Sequence, residues 1–202
     1  MSIRLLFPTP IAILDIPLIP HEDHNFLLNV EYIITPHNFN RSKNTYILKD
    51  RETELTRWIQ TQIDIFALEV LATKSKLKIT QSWCLKHTNQ KQQVHSHAHP
   101  NSIISGAYYV QAPLNSQSIK FSKQPNTIIK WETDHSQLQS APWAWDWNEF
   151  PIATGRLILF PSHLYHSVEG TLINEDTRCV LSFNTWFDGT FGNQEELFEL
   201  KL

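Results

Sequence analysis

From residue 78 onwards the chain is a succession of short strand-like segments, and this pattern constrains its fold more than any other feature. In residues 78–87 the side chains alternate between two faces, with Trp83 on one face and Cys84 on the other, as in a β-strand. Similar segments follow at 103–112, 118–121, 127–131, 156–160 and 178–187. Many short strands after one or two helices predict a mainly β fold, either a barrel or a double-sheet jelly roll backed by helices.

The N-terminal part of the chain is predicted to supply that backing. Residues 51–73 form an amphipathic helix, because apolar side chains recur at helical spacing: Leu55, Ile59, Ile63, Phe66 and Val70. Residues 5–18 alternate poorly and contain prolines, which favours short edge strands joined by turns. We therefore expect one domain over 1–202, with N-terminal strands and supporting helices in 1–77, a jelly-roll core in 78–190 and a tail in 191–202.

The composition argues against several classes of protein. No apolar run approaches the roughly 18 residues of a membrane-spanning helix, and no secretory signal is recognisable, so a cytoplasmic location without membrane attachment is predicted. The two cysteines, Cys84 and Cys179, are too few for a disulfide framework and are predicted to be reduced core thiols.

The charges are unevenly distributed although the net charge is only −3. Between Glu69 and Glu132 the chain has eight lysines and no carboxylate. A solvated basic face explains this most simply, but such a surface would also attract an anionic or nucleotide-like small-molecule substrate. Three tryptophans between prolines, at 143, 145 and 147, fit either a lid over a site or a loop folded onto the core. The oligomeric state stays open, and a homo-oligomer is compatible with the sequence.

The strongest indication of chemistry is a run of histidines at alternate positions. His95, His97 and His99 share one face of an extended segment, so any neighbouring two of them can bind one metal ion. A surface cluster is the simpler alternative for an isolated pair. The five histidines without such spacing are predicted to be surface residues: His21, His24, His37, His87 and His135.

Partners for this cluster are found later in the chain. His163 and His166 follow the predicted strand 156–160, and either can supply a distal ligand. In the predicted strand 178–187, Arg178, Val180, Ser182 and Asn184 share one face, and mostly apolar side chains share the other. Such a strand can line a polar pocket, in which the arginine fork suits a carboxylate.

These residues resemble the 2-oxoglutarate (2OG) and iron(II)-dependent oxygenases of a group with many cyanobacterial and phage members. The resemblance lies in the block from His97 to Val110, which reads HAHPNSIISGAYYV, and in the later segments 155–161, 166–168 and 178–186. Short matches at 6–10 and 82–83 extend it over nearly the whole chain.

The resemblance implies a double-stranded β-helix, also called a jelly-roll or cupin-like barrel. It further implies one ferrous ion, 2OG as co-substrate and dioxygen. Matched by motif, His97 and His99 are the first two metal ligands, and His166 is the distal ligand. Arg178 pairs with the C5 carboxylate of 2OG, and Tyr108 or Tyr109 adds a hydrogen bond. Ser182 and Asn184 share the face of Arg178 and are predicted to line the co-substrate site.

The chain departs from the broader superfamily in its ligand set, which usually contains two histidines and one carboxylate. No Asp or Glu lies between Glu69 and Glu132, so either three histidines bind the metal or a distant acid such as Glu169 contributes. His95 and His163 are the alternative or supporting residues at the site. Two other functions therefore stay open: a cupin-like three-histidine dioxygenase that uses no 2-oxo acid, and a non-catalytic metal-binding module.

Overall fold

The computed structural model describes residues 8–18, 20–36, 39–88, 93–113, 118–123, 146–168 and 177–202. Its two α-helices within these ranges are α1 (His21–Leu28) and α2 (Glu54–Leu71). The strands of the N-terminal half are β1 (Ala12–Asp15), β2 (Tyr32–Ile34), β3 (Asn40–Ser42), β4 (Lys76–His87) and β5 (Val94–His97). Those that follow are β6 (Ile104–Gln111), β7 (Ile119–Ser122), β8 (Trp147–Phe150), β9 (Arg156–Pro161), β10 (Tyr165–Val168), β11 (Arg178–Asp188), β12 (Thr190–Phe191) and β13 (Leu200–Lys201).

Two antiparallel sheets form the body of the molecule. The major sheet has seven strands in the order β1-β9-β6-β11-β4-β3-β2, and the minor sheet has four in the order β5-β10-β7-β8. Apolar side chains from β6, β7, β9 and β11 form one core cluster between the sheets, among them Tyr109, Phe121, Phe160 and Val180. This arrangement confirms the predicted mainly β jelly-roll fold.

A second core lies on the other face of the major sheet. Side chains alternate along each strand, so Tyr108 and Leu181 point towards the helices and their neighbours Tyr109 and Val180 point towards the minor sheet. Helix α2 packs its predicted apolar stripe into this helix-side core. Cys84 and Cys179 are buried there as free thiols, as predicted.

Helix α2 has clear signals at both ends. Thr53 and Thr56 form a reciprocal capping box at the start, and Ala72 adopts a left-handed conformation at the end. These signals place the helix within two or three residues of the predicted span 51–73. Neither helix in the described ranges combines the length and apolar character needed to cross a membrane.

The N-terminal strands do more than support the core, because β1, β2 and β3 are part of the major sheet. Within 8–18, the described part of the predicted 5–18 region, β1 is the single strand, and it forms one edge of that sheet. The predicted strand 127–131 lies outside the described residues, as do Trp143 and Trp145.

Candidate metal centre

Three histidines come together beside the cavity between the two sheets. His97 ends β5 and pairs directly with His166 of β10, and His99 follows β5 by two residues. The ring centroids of His97 and His166 are 4.4 Å apart, and that of His99 lies 4.9 Å from His97 and 5.1 Å from His166. One ring nitrogen of each lies within 4.8 Å of the other two, so one ion can contact all three.

Backbone carbonyls orient two of these rings. The Nδ1 of His97 lies 2.8 Å from the carbonyl oxygen of His95, and the Nδ1 of His166 lies 3.1 Å from that of Leu164. A carbonyl can only accept, so each Nδ1 carries the proton and donates it. The Nε2 lone pair of each neutral ring is then available to a metal.

A serine network supports the third ring. The backbone N–H of His99 donates to the carbonyl of Ser162 over 2.9 Å. The Ser162 hydroxyl contacts those of Ser102 and Ser105 at 2.7 and 2.8 Å. Ser105 in turn donates to the side-chain oxygen of Asn184 over 3.0 Å. The turn that carries His99 is thus tied to β6 and β11 of the major sheet.

The site favours neutral imidazoles. Burial, followed by the neighbouring charge of His97, lowers the pKa of His166 to about 3 and that of His99 to about 4. Because a metal binds the unprotonated ring, this environment keeps both ligands ready at neutral pH. Phe121 and Phe160 flank His166 with ring centroids 6.0 and 4.7 Å away. Three imidazole nitrogens in apolar surroundings are a donor set that suits a borderline transition metal such as ferrous iron.

Of the alternative ligands, the two histidines do not join this cluster. His163 is exposed, precedes β10 by two residues and is not one of the three clustered histidines. His95 is exposed at the rim of the cavity and holds His97 through its carbonyl. Glu169 lies outside the described residues. None of the described residues that line the cavity is an aspartate or a glutamate.

A cavity of about 660 Å³ extends from the histidines between the sheets. Its far end contains Arg178, which is 3% exposed and pairs across the strands with His87 of β4. Within the described structure, the Nε of Arg178 and both ring nitrogens of His87 are buried without a hydrogen-bond partner. Each unpaired buried polar group costs roughly 1–3 kcal/mol, so this end of the cavity is suited to a ligand that accepts hydrogen bonds.

The structure separates the residues predicted to bind the co-substrate. Tyr109 and Ser182 line the cavity with Arg178. Tyr108, one residue along β6, is buried in the helix-side core, so Tyr109 is the member of the predicted pair that lines the cavity. Asn184 also does not line the cavity. It precedes a register shift in β11 and its side chain holds Ser105 instead.

Two of the cavity residues that the sequence analysis did not identify carry polar side chains suited to binding a ligand, His87 and Arg41. The prediction that His87 is a surface residue is wrong, because its side chain is only 1% exposed. Its parity with Gln81, Trp83 and Leu85 in β4 is the sequence signal that places it on the cavity face. Arg41, from the β2–β3 hairpin, also lines the cavity, and no comparable signal marks it.

Comparison with known proteins connects this geometry to a family. The family model described as "Putative 2OG-Fe(II) oxygenase" matches residues 81–184, slightly more than half of the chain. That range contains the three histidines, Arg178 and most of the major sheet. No curated protein matches the sequence significantly.

Solved structures share the fold at low sequence identity. A 2OG-Fe(II) oxygenase family oxidoreductase from Burkholderia pseudomallei gives a TM-score of 0.56 at 13% identity, covering 81% of this chain and 75% of its own. HygX from Streptomyces hygroscopicus, with nickel and 2-oxoglutarate bound, gives 0.58 at 11%, covering 88% and 82%. A prolyl hydroxylase from Trichoplax adhaerens, in complex with a hypoxia inducible factor peptide, gives 0.52 at 12%, covering 86% and 82%.

Proposed function

Because the chain belongs to this 2OG-Fe(II) oxygenase family, we propose that it hydroxylates a small-molecule substrate while converting 2OG to succinate and carbon dioxide. In this reaction one atom of dioxygen enters the product hydroxyl and the other enters succinate. The observation that carries the proposal is one cavity with three clustered imidazoles at one end and, at the other, a buried arginine whose Nε has no partner among the described residues.

His97, His99 and His166 would hold the iron. Their contribution would be to present three ring nitrogens to the metal at a cavity that the co-substrate and dioxygen could also enter. The bound iron would supply the electron transfer and dioxygen chemistry that side chains cannot provide. The carbonyls of His95 and Leu164 fix the ring orientations of His97 and His166, so little reorganisation is needed when the metal binds.

Arg178 would bind the C5 carboxylate of 2OG. A guanidinium offers two parallel donors to a carboxylate, and its Nε has no other partner in the described chain. Burial raises the pKa of Tyr109 to about 12, with Arg178 acting in the opposite direction, so the phenol keeps its proton and can donate. His87, in register with Arg178, can add a donor from its neutral ring. These groups would orient 2OG with its oxo acid end towards the histidines.

The cavity has room for a second molecule. Its volume of about 660 Å³ lies within the range typical of pockets for small organic ligands, and a five-carbon diacid fills only part of it. HygX has also been solved with the small molecule hygromycin B bound, in a structure that matches this chain with a TM-score of 0.51. We therefore propose a small-molecule substrate that binds beside 2OG.

A specific observation favours a second candidate function. Three histidines without a carboxylate also suit a cupin-like dioxygenase in which substrate and oxygen bind the metal and no 2-oxo acid is used. The two functions differ in their use of Arg178. Only the first gives this residue a carboxylate to bind in every catalytic cycle.

The Arg178→Gln variant separates the two functions. We expect wild-type protein with Fe(II) and oxygen to form succinate from 2OG, and the 2OG concentration for half-maximal rate to rise about 100-fold in R178Q, because two charge-assisted hydrogen bonds are lost. The matched control is Arg57→Gln on the exposed face of α2, which should leave this value unchanged. Iron binding without succinate formation in the wild type would favour the cupin-like function. Absence of bound iron, or tightly held zinc with closed coordination, would favour a non-catalytic module.

A further inference from the structure

We propose that Arg41 forms a second anion-binding subsite, and that the substrate therefore carries a carboxylate or phosphate group on an apolar body. The inference rests on the proposed function, which assigns Arg178 to 2OG and leaves Arg41 without a role.

Arg41 differs from two partly buried arginines outside the cavity, Arg51 and Arg156, which both have a carboxylate partner. Arg156 forms a bidentate ion pair with Asp15 at 2.8 and 2.9 Å, and Arg51 pairs with Asp23 at 3.0 Å. Arg41 is half-buried on β3, and its Nε is shielded from water without a partner in the described residues. A guanidinium that is partly desolvated and unpaired favours binding an external oxyanion.

The charge of the cavity supports an anionic substrate. The described lining contains Arg41 and Arg178 and no carboxylate. With ferrous iron bound, the site would have four positive charges, and fully ionised 2OG would balance two of them. Two positive charges would remain unbalanced. Because charges interact strongly in a partly desolvated cavity, these two favour an anionic substrate.

The register of the major sheet separates the two arginines. Arg41 pairs with Leu85, and Leu85 pairs with Val180, which is two residues from Arg178 in β11. Two strand spacings and two residues of rise place the Cα atoms of Arg41 and Arg178 about 12 Å apart. This separation allows each guanidinium to bind its own anion.

The side chains around Arg41 indicate the rest of the ligand. Ile33, Pro36 and Phe39 of the β2–β3 hairpin line the cavity beside it. Ile34 also lines the cavity, and its side chain is 73% exposed and so free to be covered by a ligand. An apolar body covering this wall, with its oxyanion on Arg41, would place the remainder of the molecule towards the histidines.

The test uses three probes that share a phenyl group: 3-phenylpropanoate, phenyl phosphate and the uncharged 3-phenylpropanamide. Dissociation constants are measured by calorimetry without oxygen, on protein loaded with Fe(II) and 2OG. We expect at least one anionic probe to bind wild type about ten-fold or more tightly than the amide, since a charge-assisted hydrogen bond contributes that much.

R41Q should reduce this preference to less than about two-fold, and Arg41→Lys should retain part of it because the charge is kept. R57Q, the surface control, should behave as wild type. The tighter of the two anions identifies the group that the substrate carries.

Several results would overturn the inference. It fails if wild type shows no preference for either anion, or if R41Q keeps the full preference. It also fails if R41Q weakens 2OG binding as severely as R178Q does, because Arg41 would then belong to the 2OG site. A wild type that binds Fe(II) but not 2OG would instead contradict the proposed function, so the two failures can be distinguished.

Discussion

The two sheets contribute different groups to the same cavity. The major sheet contributes Arg178, His87, Tyr109 and Arg41, which can bind organic groups, from strands that include the 12-residue β4 and the 11-residue β11. The minor sheet consists of four-residue strands and contributes two of the three candidate metal ligands, His97 and His166. Long strands paired on both sides fix a binding surface in register. The short strands of the minor sheet carry the histidine side chains, whose final positions could be set when a metal binds.

The sheets also differ in how they are stabilised. The major sheet is covered by helices on one face and by the minor sheet on the other, and seven of the eight residues of β6 are buried. In the minor sheet, β5 has no buried residue and β10 has one, His166. We therefore expect changes in the minor sheet to affect metal binding most, and changes in the major sheet to affect stability most.

The largest effect is expected for His166→Ala in the minor sheet. Disturbing groups that only support a metal ligand costs about 10–100-fold in affinity, so loss of the ligand itself should weaken Fe(II) binding by more than about 100-fold. Metal titration with a competing chelator measures this. The matched control is His163→Ala, which removes the exposed histidine three residues earlier and should leave the affinity unchanged. The reverse result, with H163A losing iron and H166A keeping it, would assign the third ligand to His163.

The predictable parts of the molecule are those encoded by local patterns. The stripe from Leu55 to Val70 predicted α2, and the alternation in 178–187 placed Arg178 and Ser182 on one face of β11. The spacing of His97 and His99 predicted that the two rings can share one ion, and the structure brings their ring nitrogens within 4.8 Å of each other. Each of these inferences needs only the periodicity of one segment.

The other parts depend on contacts between segments that are distant in sequence. The alternation of β6 separates Tyr108 from Tyr109, but only the packing of α2 and β7 on opposite faces of the sheet decides which tyrosine meets the cavity. The alternation of β4 places His87 on the same face as other cavity residues. Its burial, however, follows from its pairing with Arg178, which is 91 positions away in the chain. Arg41 reaches the cavity because the β2–β3 hairpin extends the sheet edge, and no local pattern encodes that pairing.

A smaller effect, on stability, is expected for Gly106→Ala in the major sheet. A Cβ at Gly106 would overlap the ring of Phe183, its partner in β11, and that ring is buried in the helix-side core. Because the ring has little room to move, we expect the variant to lose about 1–3 kcal/mol of unfolding free energy, measured by urea denaturation. Ser96→Ala, at an exposed position of β5, is the matched change in the minor sheet and should stay within about 0.5 kcal/mol. Equal losses in the two variants would contradict the proposed division between the sheets.

The smallest expected effect is on the pH dependence of the unfolding free energy. It tests whether the end of the cavity that contains Arg178 is shielded from water. Burial, followed by the charge of Arg178, lowers the pKa of His87 to about 3 from its ordinary 6.5. Between these values the unfolded chain binds a proton at this position that the folded chain does not, so the folded state loses stability as pH falls below 6.5. His87→Gln removes this contribution.

We therefore measure the unfolding free energy of the metal-free proteins from pH 6 to pH 4. We expect it to fall less steeply in H87Q than in wild type, and the two slopes should differ by about 1 kcal/mol per pH unit. The other histidines are common to both proteins, so their contributions cancel from the difference. His163→Gln, at an exposed position, should leave the wild-type slope unchanged. Parallel curves for wild type and H87Q would mean that water reaches the His87 ring. The unpaired nitrogens beside Arg178 would then be solvated, and the requirement for a ligand carboxylate at that end of the major sheet would be weaker.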